Sequence, residues 1–421
     1  MQKESRHERR VFYGWWVVLV AAIGLFFCYI PVVSFTFGLF SNPLSEEFRW
    51  SRAEISAAFS LSLIAMCVAM PLIGRLVDGL GARMVIIPSV LVSGLCLISF
   101  YFLSGSLWHY YGAYIALGVA GGASSQMPYS GVISRWFDRR RGLALSLAAS
   151  GAGLGSLVIP PLAQLLIVGV GWRRAYALMG MAVIAVTVPV VGMFLKESPQ
   201  SLGLLPDGQA GVTKAREEAE GTSSREATRS YAFWAICVAS FFLSSSVVGC
   251  LIHLTPMLTD RGVSAEKAAL ATSLLGGASL IGGLGTGYLL DRFSARHVSA
   301  GFFGGASIGI FLFWGDLGEG LTFIAAFLIG LGMGASGQII PYLVSRYFGL
   351  RAFNEIYSYA LVSFTLGGVA GPLLMGAGFD INGSYYMTLV FFLLITVVAT
   401  LLMMRLGPYR ELESVRGSAA L

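Results

Sequence analysis

Charge is what this sequence has least of. Charged residues fill 12% of the 421 positions, about half the share in soluble domains, where roughly 25% is usual. Apolar residues fill 56%, and the mean hydropathy is +0.75. No soluble core could hide that much apolar surface, so the expected solvent is lipid. Paired cysteine motifs are missing as well. Cys28, Cys67, Cys96, Cys237 and Cys250 all fall inside apolar runs and read as small packing residues. No metal-ligand cluster or nucleophile motif occurs, so neither an enzyme nor a cofactor is expected. The glycine-rich stretch Gly151-Ala152-Gly153-Leu154-Gly155 lacks the preceding strand that a dinucleotide loop needs. The excess of 28 basic over 22 acidic residues gives a net charge of +6. It is spread over short loops, so nucleic acid is not an expected partner. No cleavable signal peptide is expected, because a polar, basic N-terminus leads into a run long enough to span.

What is present is a series of long apolar runs. Twelve are counted, at roughly 15–40, 53–77, 83–104, 108–134, 142–168, 173–195, 232–258, 266–290, 297–316, 320–345, 352–378 and 384–405. Each reaches or approaches the ~20 residues a bilayer requires. They are continuous rather than alternating, which predicts helices rather than barrel strands. With the N-terminus placed inside, 22 of the 28 basic residues fall on the inner side and 6 on the outer. The bias predicts a multi-pass protein with both termini cytoplasmic. Residues 196–230, with Pro199, Pro206 and mixed charge such as Arg216-Glu217-Glu218, read as a cytoplasmic linker. It divides the chain into an N-terminal six-helix bundle (1–195) and a C-terminal one (231–421).

The two halves echo each other. Gly74-Arg75-Leu76-Val77-Asp78-Gly79-Leu80-Gly81-Ala82-Arg83 returns as Gly287-Tyr288-Leu289-Leu290-Asp291-Arg292-Phe293-Ser294-Ala295-Arg296. The offsets 287 − 74, 291 − 78 and 296 − 83 are all 213. Ser134-Arg135-Trp136-Phe137 returns as Ser345-Arg346-Tyr347-Phe348, and Gly122-Ala123-Ser124-Ser125-Gln126 as Gly334-Ala335-Ser336-Gly337-Gln338. Two membrane-embedded repeats of this kind form a transporter architecture. The small residues Gly118/Gly122, Gly283/Gly287 and Gly367/Gly371 suit close helix packing.

The repeated loop resembles the signature between the second and third helices of the major facilitator superfamily, and the resemblance covers nearly the whole chain. Gly79 stands where a basic residue is usual, and Ser294 where a glycine is. The resemblance implies an all-α membrane protein of twelve transmembrane helices in two pseudo-symmetric six-helix bundles. Tyr13-Gly14-Trp15-Trp16, the run Arg135-Trp136-Phe137-Asp138-Arg139-Arg140-Arg141-Gly142-Leu143-Ala144 with its continuation to Ser150-Gly151-Ala152-Gly153, Arg346-Tyr347-Phe348-Gly349 and Gly371-Pro372 resemble the bacterial relatives of monocarboxylate porters and oxalate–formate antiporters. That branch implies movement of small organic acids, often with a proton or by exchange, in a bacterial inner membrane. Those porters carry an arginine in the eighth helix that meets the substrate carboxylate. Its place falls at Gly283, and no charged residue occurs from Ala268 to Leu290. The lysine that some members carry in the first or eleventh helix is also missing. An unpaired carboxylate in a dry cavity is unfavourable by several kcal/mol, so a dianion such as oxalate is not expected.

Asp78, Arg83, Arg135, Asp291, Arg292 and Arg346 are candidate gating residues at the inner face. Arg135 and the run Arg139–Arg141 would pair with acids such as Asp78 or Asp138 when that side closes. Their alternative role is to anchor topology. The candidate substrate-binding residues are neutral: Tyr29, Gln126, Tyr129, Gln338, Tyr342 and Tyr359, with Tyr357 beside the last. The alternative for each glutamine is an interhelical hydrogen bond. Trp15, Trp16, Trp108, Trp172 and Tyr386 read as interface anchors. His253 sits well inside the seventh run and is the candidate proton-coupling residue, because histidine titrates nearest neutral pH. The alternative is a neutral histidine bonded to a neighbouring helix. The expected partners are a small-molecule substrate, a proton and the lipid bilayer. The expected function is alternating-access secondary transport, with proton-coupled uptake of a small monocarboxylate or other weakly acidic compound first. A neutral or aromatic solute, such as a vitamin or an aromatic growth substrate, comes next, and efflux last.

Overall fold

A computed structural model describes residues 12–208, 221–315 and 318–407. The two ends of the chain and the run Arg216-Glu217-Glu218 lie outside these. Described residues form helices α1 (Tyr13–Phe26), α2 (Phe37–Phe48), α3 (Arg52–Leu80), α4 (Ala82–Ser99), α5 (Leu107–Ala123), α6 (Gln126–Trp136), α7 (Arg141–Val170) and α8 (Trp172–Phe194) in the first half. A four-residue turn, α9 (Ser224–Ala227), precedes α10 (Tyr231–Asp260), α11 (Ala265–Leu290), α12 (Ala295–Gly315), α13 (Glu319–Phe348), α14 (Phe353–Asn382) and α15 (Tyr386–Met404).

Among the described residues eleven stretches are long and apolar enough to cross a membrane, the first of them Tyr13–Ser34. The twelfth crossing is α5 followed by α6, each too short alone. Pro128 explains the interruption: it has no N–H to give to the carbonyl four residues back, at Ser124. The chain re-enters a helix through Ser125, whose hydroxyl accepts from the Met127 amide at 3.3 Å. The first crossing is broken too. A π-helical turn over Ile30–Ser34, containing Pro31, separates α1 from α2. Twelve segments therefore cross, six on each side of the linker, in two helical bundles. Large apolar side chains such as Val68, Leu72, Leu157, Leu165 and Val168 stand exposed along α3 and α7, which suits contact with lipid and not water.

The repeat extends to the helix ends. Ser51 caps α3 and accepts from the Glu54 amide, and Ser264 caps α11 and accepts from the Lys267 amide. Within each bundle, glycines set how closely helices approach. A Cβ at Gly118 would lie 2.7 Å from the Ser62 carbonyl carbon of α3, and one at Gly371 would lie 2.7 Å from the Ser245 carbonyl carbon of α10. We call the membrane face where α8 ends and α10 begins the linker face.

Candidate functional site

The two copies of the repeated loop lie on the linker face, where the bundles meet. Asp78, in the last turn of α3, reaches the N-terminus of α14. Its Oδ1 accepts from the Asn354 amide at 3.1 Å and from Asn354 Nδ2 at 2.8 Å, and its Oδ2 accepts from the Glu355 amide at 2.9 Å. Asp291, just past α11, does the same for α7. Its Oδ1 accepts from the Gly142 amide at 2.7 Å and its Oδ2 from the Leu143 amide at 2.9 Å. Each carboxylate thus caps the first turn of a helix in the opposite bundle, where free amides and the helix dipole favour negative charge. Burial pushes the Asp291 carboxyl above its ordinary value, against the pull of the Leu143 and Gly142 amides.

Ion pairs surround these caps. Arg346 of α13 donates from Nη1 to Asp138 Oδ1 at 2.7 Å and from Nη2 to the Asp138 carbonyl at 2.8 Å. Arg75 donates from Nε to Glu355 Oε1 at 2.7 Å. Buried Arg141 donates to Ser345 Oγ at 3.1 Å, and Ser146 Oγ donates to the Gly283 carbonyl at 2.8 Å. The remaining gating candidates stay within their own half. Arg135 lies 3.9 Å from Glu197, at the start of the linker. Arg83 offers its amide to Glu197 Oε1 at 2.7 Å. Arg292 stacks on the Tyr288 ring, 4.2 Å from its centre.

Among the substrate-binding candidates, Gln126 and Gln338 meet across the bundle boundary. Gln126 Nε2 donates to the Gly337 carbonyl at 2.9 Å and lies 3.5 Å from Gln338 Oε1. The tyrosines sit elsewhere. Tyr29 shares a hydrogen bond with Ser62. The Tyr129 hydroxyl is buried without a partner, against Gly24 of α1. Tyr342 donates to the Leu290 carbonyl at 2.8 Å under the Arg346 guanidinium. Tyr359 packs edge-on to Phe233, 6.0 Å between ring centres, and buried Tyr357 packs on Phe353.

His253 is held inside the second bundle. Its Nε2 lies 3.2 Å from the Pro372 carbonyl and its Nδ1 3.4 Å from the Tyr385 hydroxyl. A carbonyl only accepts, so in the neutral ring Nε2 carries the hydrogen and Nδ1 accepts from Tyr385. Among the described residues no group of three or more His, Cys, Asp or Glu side chains converges as a metal site.

Asn354, Glu355 and Arg75 were not among the sequence candidates, although the repeat pointed to the first two. The differences 354 − 142 and 355 − 143 are both 212, so the amides capped by Asp78 are the repeat counterparts of those capped by Asp291.

The family model described as Major Facilitator Superfamily matches residues 17–352 and 234–420. Among curated proteins, an MFS transporter, asaE, of Aspergillus flavus is 25% identical over 381 residues, covering 87% of this chain and 81% of its own. Monocarboxylate transporter 11 of Homo sapiens is 27% identical over 391 residues, covering 88% and 79%. Among solved structures, the E. coli fucose:proton symporter superposes with a TM-score of 0.66 at 16% identity, over 93% of this chain and 96% of that one.

Proposed function

Since the chain belongs to the major facilitator superfamily, and so is a membrane transporter and not an enzyme, we propose that it takes up a small monocarboxylate or other weakly acidic compound together with a proton, by alternating access. In this reading the linker face is cytoplasmic, the membrane is a bacterial inner membrane, and the two aspartate caps hold the cytoplasmic side shut while substrate enters from the other. The basic residues concentrated on the linker side support the orientation. A membrane-impermeant thiol reagent added outside should label Gly105→Cys and spare Ser294→Cys, in the loop between α11 and α12; the reverse pattern would invert the assignment.

The observation that carries the substrate reading is the contact of Gln126 with Gln338 and the Gly337 carbonyl. At 3.5 Å the side-chain contact sits at the limit of a hydrogen bond, so these amide groups are available to exchange partners with a ligand. Amides bind a protonated acid or a single carboxylate by hydrogen bonding and offer no cation to a dianion. The name of the human relative, a monocarboxylate transporter, agrees with that chemistry. The same neutral donors favour a second reading, a neutral or aromatic solute. Competition between an acid and its amide tests the site. Both should compete for uptake within about tenfold of each other, one neutral hydrogen bond being worth about 1 kcal/mol. Competition by the ionised acid alone would require a cation in the cavity and would sink the neutral site.

Proton coupling is assigned to His253, whose Nδ1 would take the proton by reversing its hydrogen bond with the Tyr385 hydroxyl. His253→Gln should still exchange substrate across the membrane at equal pH. It should lose most of the accumulation that an inward proton gradient drives, on the order of tenfold per pH unit of gradient for one proton per substrate. Gradient-driven accumulation that survives in the mutant would make His253 a structural residue.

A further inference from the structure

The gate is not made by the membrane helices alone. The start of the linker turns back under the first bundle, and at Pro206-Asp207-Gly208 it makes a tight turn. Asp207 adopts φ 57° and ψ 12°, a left-handed conformation that aspartate tolerates better than most residues. Its Oδ2 accepts from the Asp138 amide at 3.0 Å and from the Arg139 amide at 2.8 Å. These two amides belong to the short loop between α6 and α7, at the point where that loop presents Asp138 to the second bundle. From the other side, Arg346 grips the same residue through both its carboxylate and its carbonyl. Asp207 Oδ1 is buried and has no hydrogen-bond partner among the described residues. Left-handed backbone and an unpaired buried oxygen persist where the surroundings fix a geometry that matters elsewhere.

We propose that Asp207 is a positioning residue of the linker-face gate: by holding the Asp138–Arg139 peptide, it fixes Asp138 for the two-point grip of Arg346 and so ties the linker to closure of the two bundles. The proposal rests on the reading of Asp138–Arg346 as part of the gate. It assigns Asp207 no contact with substrate. It also makes a chemical distinction. Among the described residues only Oδ2 is used, so an asparagine whose carbonyl oxygen takes that place serves as well, and asparagine also accepts the left-handed backbone. Alanine removes the acceptor. Glycine removes it too, while suiting the backbone fully.

Spin labels at Met84→Cys on α4 and Gly301→Cys on α12, in a cysteine-free background, report the separation of the bundles at the linker face. Asp207→Ala and Asp207→Gly should each lower the ratio of the short to the long distance by about tenfold, the worth of the hydrogen bonds to a charged acceptor. Asp207→Asn should stay within about threefold of the parent, one neutral acceptor replacing a charged one. Arg346→Gln should produce a shift of the same direction, and adding Asp207→Ala to it should change the distribution little further, because residues acting through one contact are not additive. If Asp207→Ala leaves the distances unchanged while Arg346→Gln opens the face, the inference fails and the gate stands. Full additivity of the two also overturns it, since Asp207 would then act without Arg346. If neither substitution alters the distances, the gate reading falls and the role of Asp207 with it.

Discussion

Asp78→Asn should release the linker face and slow transport by about tenfold to a hundredfold, with equilibrium binding of substrate largely kept. Asp78 satisfies three donors at the start of α14 with two oxygens, one of them serving Glu355 alone. An asparagine carries one acceptor. Its amide nitrogen must face either the Glu355 amide or the Asn354 pair, donor against donor. Hydrogen bonds to a charged acceptor contribute about 1.5–3 kcal/mol each, and every ~1.4 kcal/mol is a factor of ten in the closed-to-open ratio. The favourable contact of a carboxylate with the helix N-terminus goes as well. Asp291→Asn should act in the same direction through Gly142 and Leu143. The caps lie on the linker face, away from Gln126 and Gln338, so affinity measured at equilibrium should change far less than rate. Loss of binding in a well-folded Asp78→Asn protein would place Asp78 in the substrate site and refute the division.

Gly287→Ala should be more severe for transport, yet mild for folding. Gly287 of α11 and Gly142 of α7 bring the backbones of the two bundles into contact, as Gly74 of α3 does against Asn354 and Glu355 of α14. A Cβ at Gly287 would lie 2.8 Å from the Gly142 carbonyl carbon and closer still to its oxygen, and a Cβ at Gly142 would lie 2.9 Å from Asp291 Oδ1. Backbone cannot swing aside as a long side chain can, so α7 and α11 must separate before the methyl fits. That separation pulls Asp291 off the amides it caps. Overpacking of this kind is unfavourable by about 1–3 kcal/mol, and the lost cap bonds add to it. We expect the linker face to stay open and the transport cycle to fall at least ~100-fold. Gly371→Ala gives the contrast. Its methyl would meet Ser245 of α10 inside one bundle, so it should lower the melting temperature by several degrees in every conformation. A Gly287→Ala protein that closes and transports normally would show that the bundles do not approach this tightly in the working cycle.

Solvent, helical class and duplication are legible in the residues alone. Scarce charge and long apolar runs leave lipid as the medium, and in lipid a continuous run must satisfy its own amides, hence helices. The 213-residue offset brought Asp78 and Asp291 forward as a pair, because a repeat in sequence is a repeat in structure. It could not say what they hold. Local pattern is blind to what lies on the far side of a boundary between bundles. Asn354 and Glu355 lie 276 and 277 residues from Asp78, and two of the three donors are main-chain amides, which every residue but proline carries and no motif marks. The same reason explains Asp207, an unremarkable aspartate in a proline-glycine turn until the fold lays it under Asp138. The tyrosines are a third case. Sequence places Tyr129 and Gln126 three residues apart on one helix. Gln126 opens α6 and meets Gln338 of the other bundle, while Tyr129, one turn further on, meets Gly24 of its own, a difference of neighbouring elements that only the fold supplies.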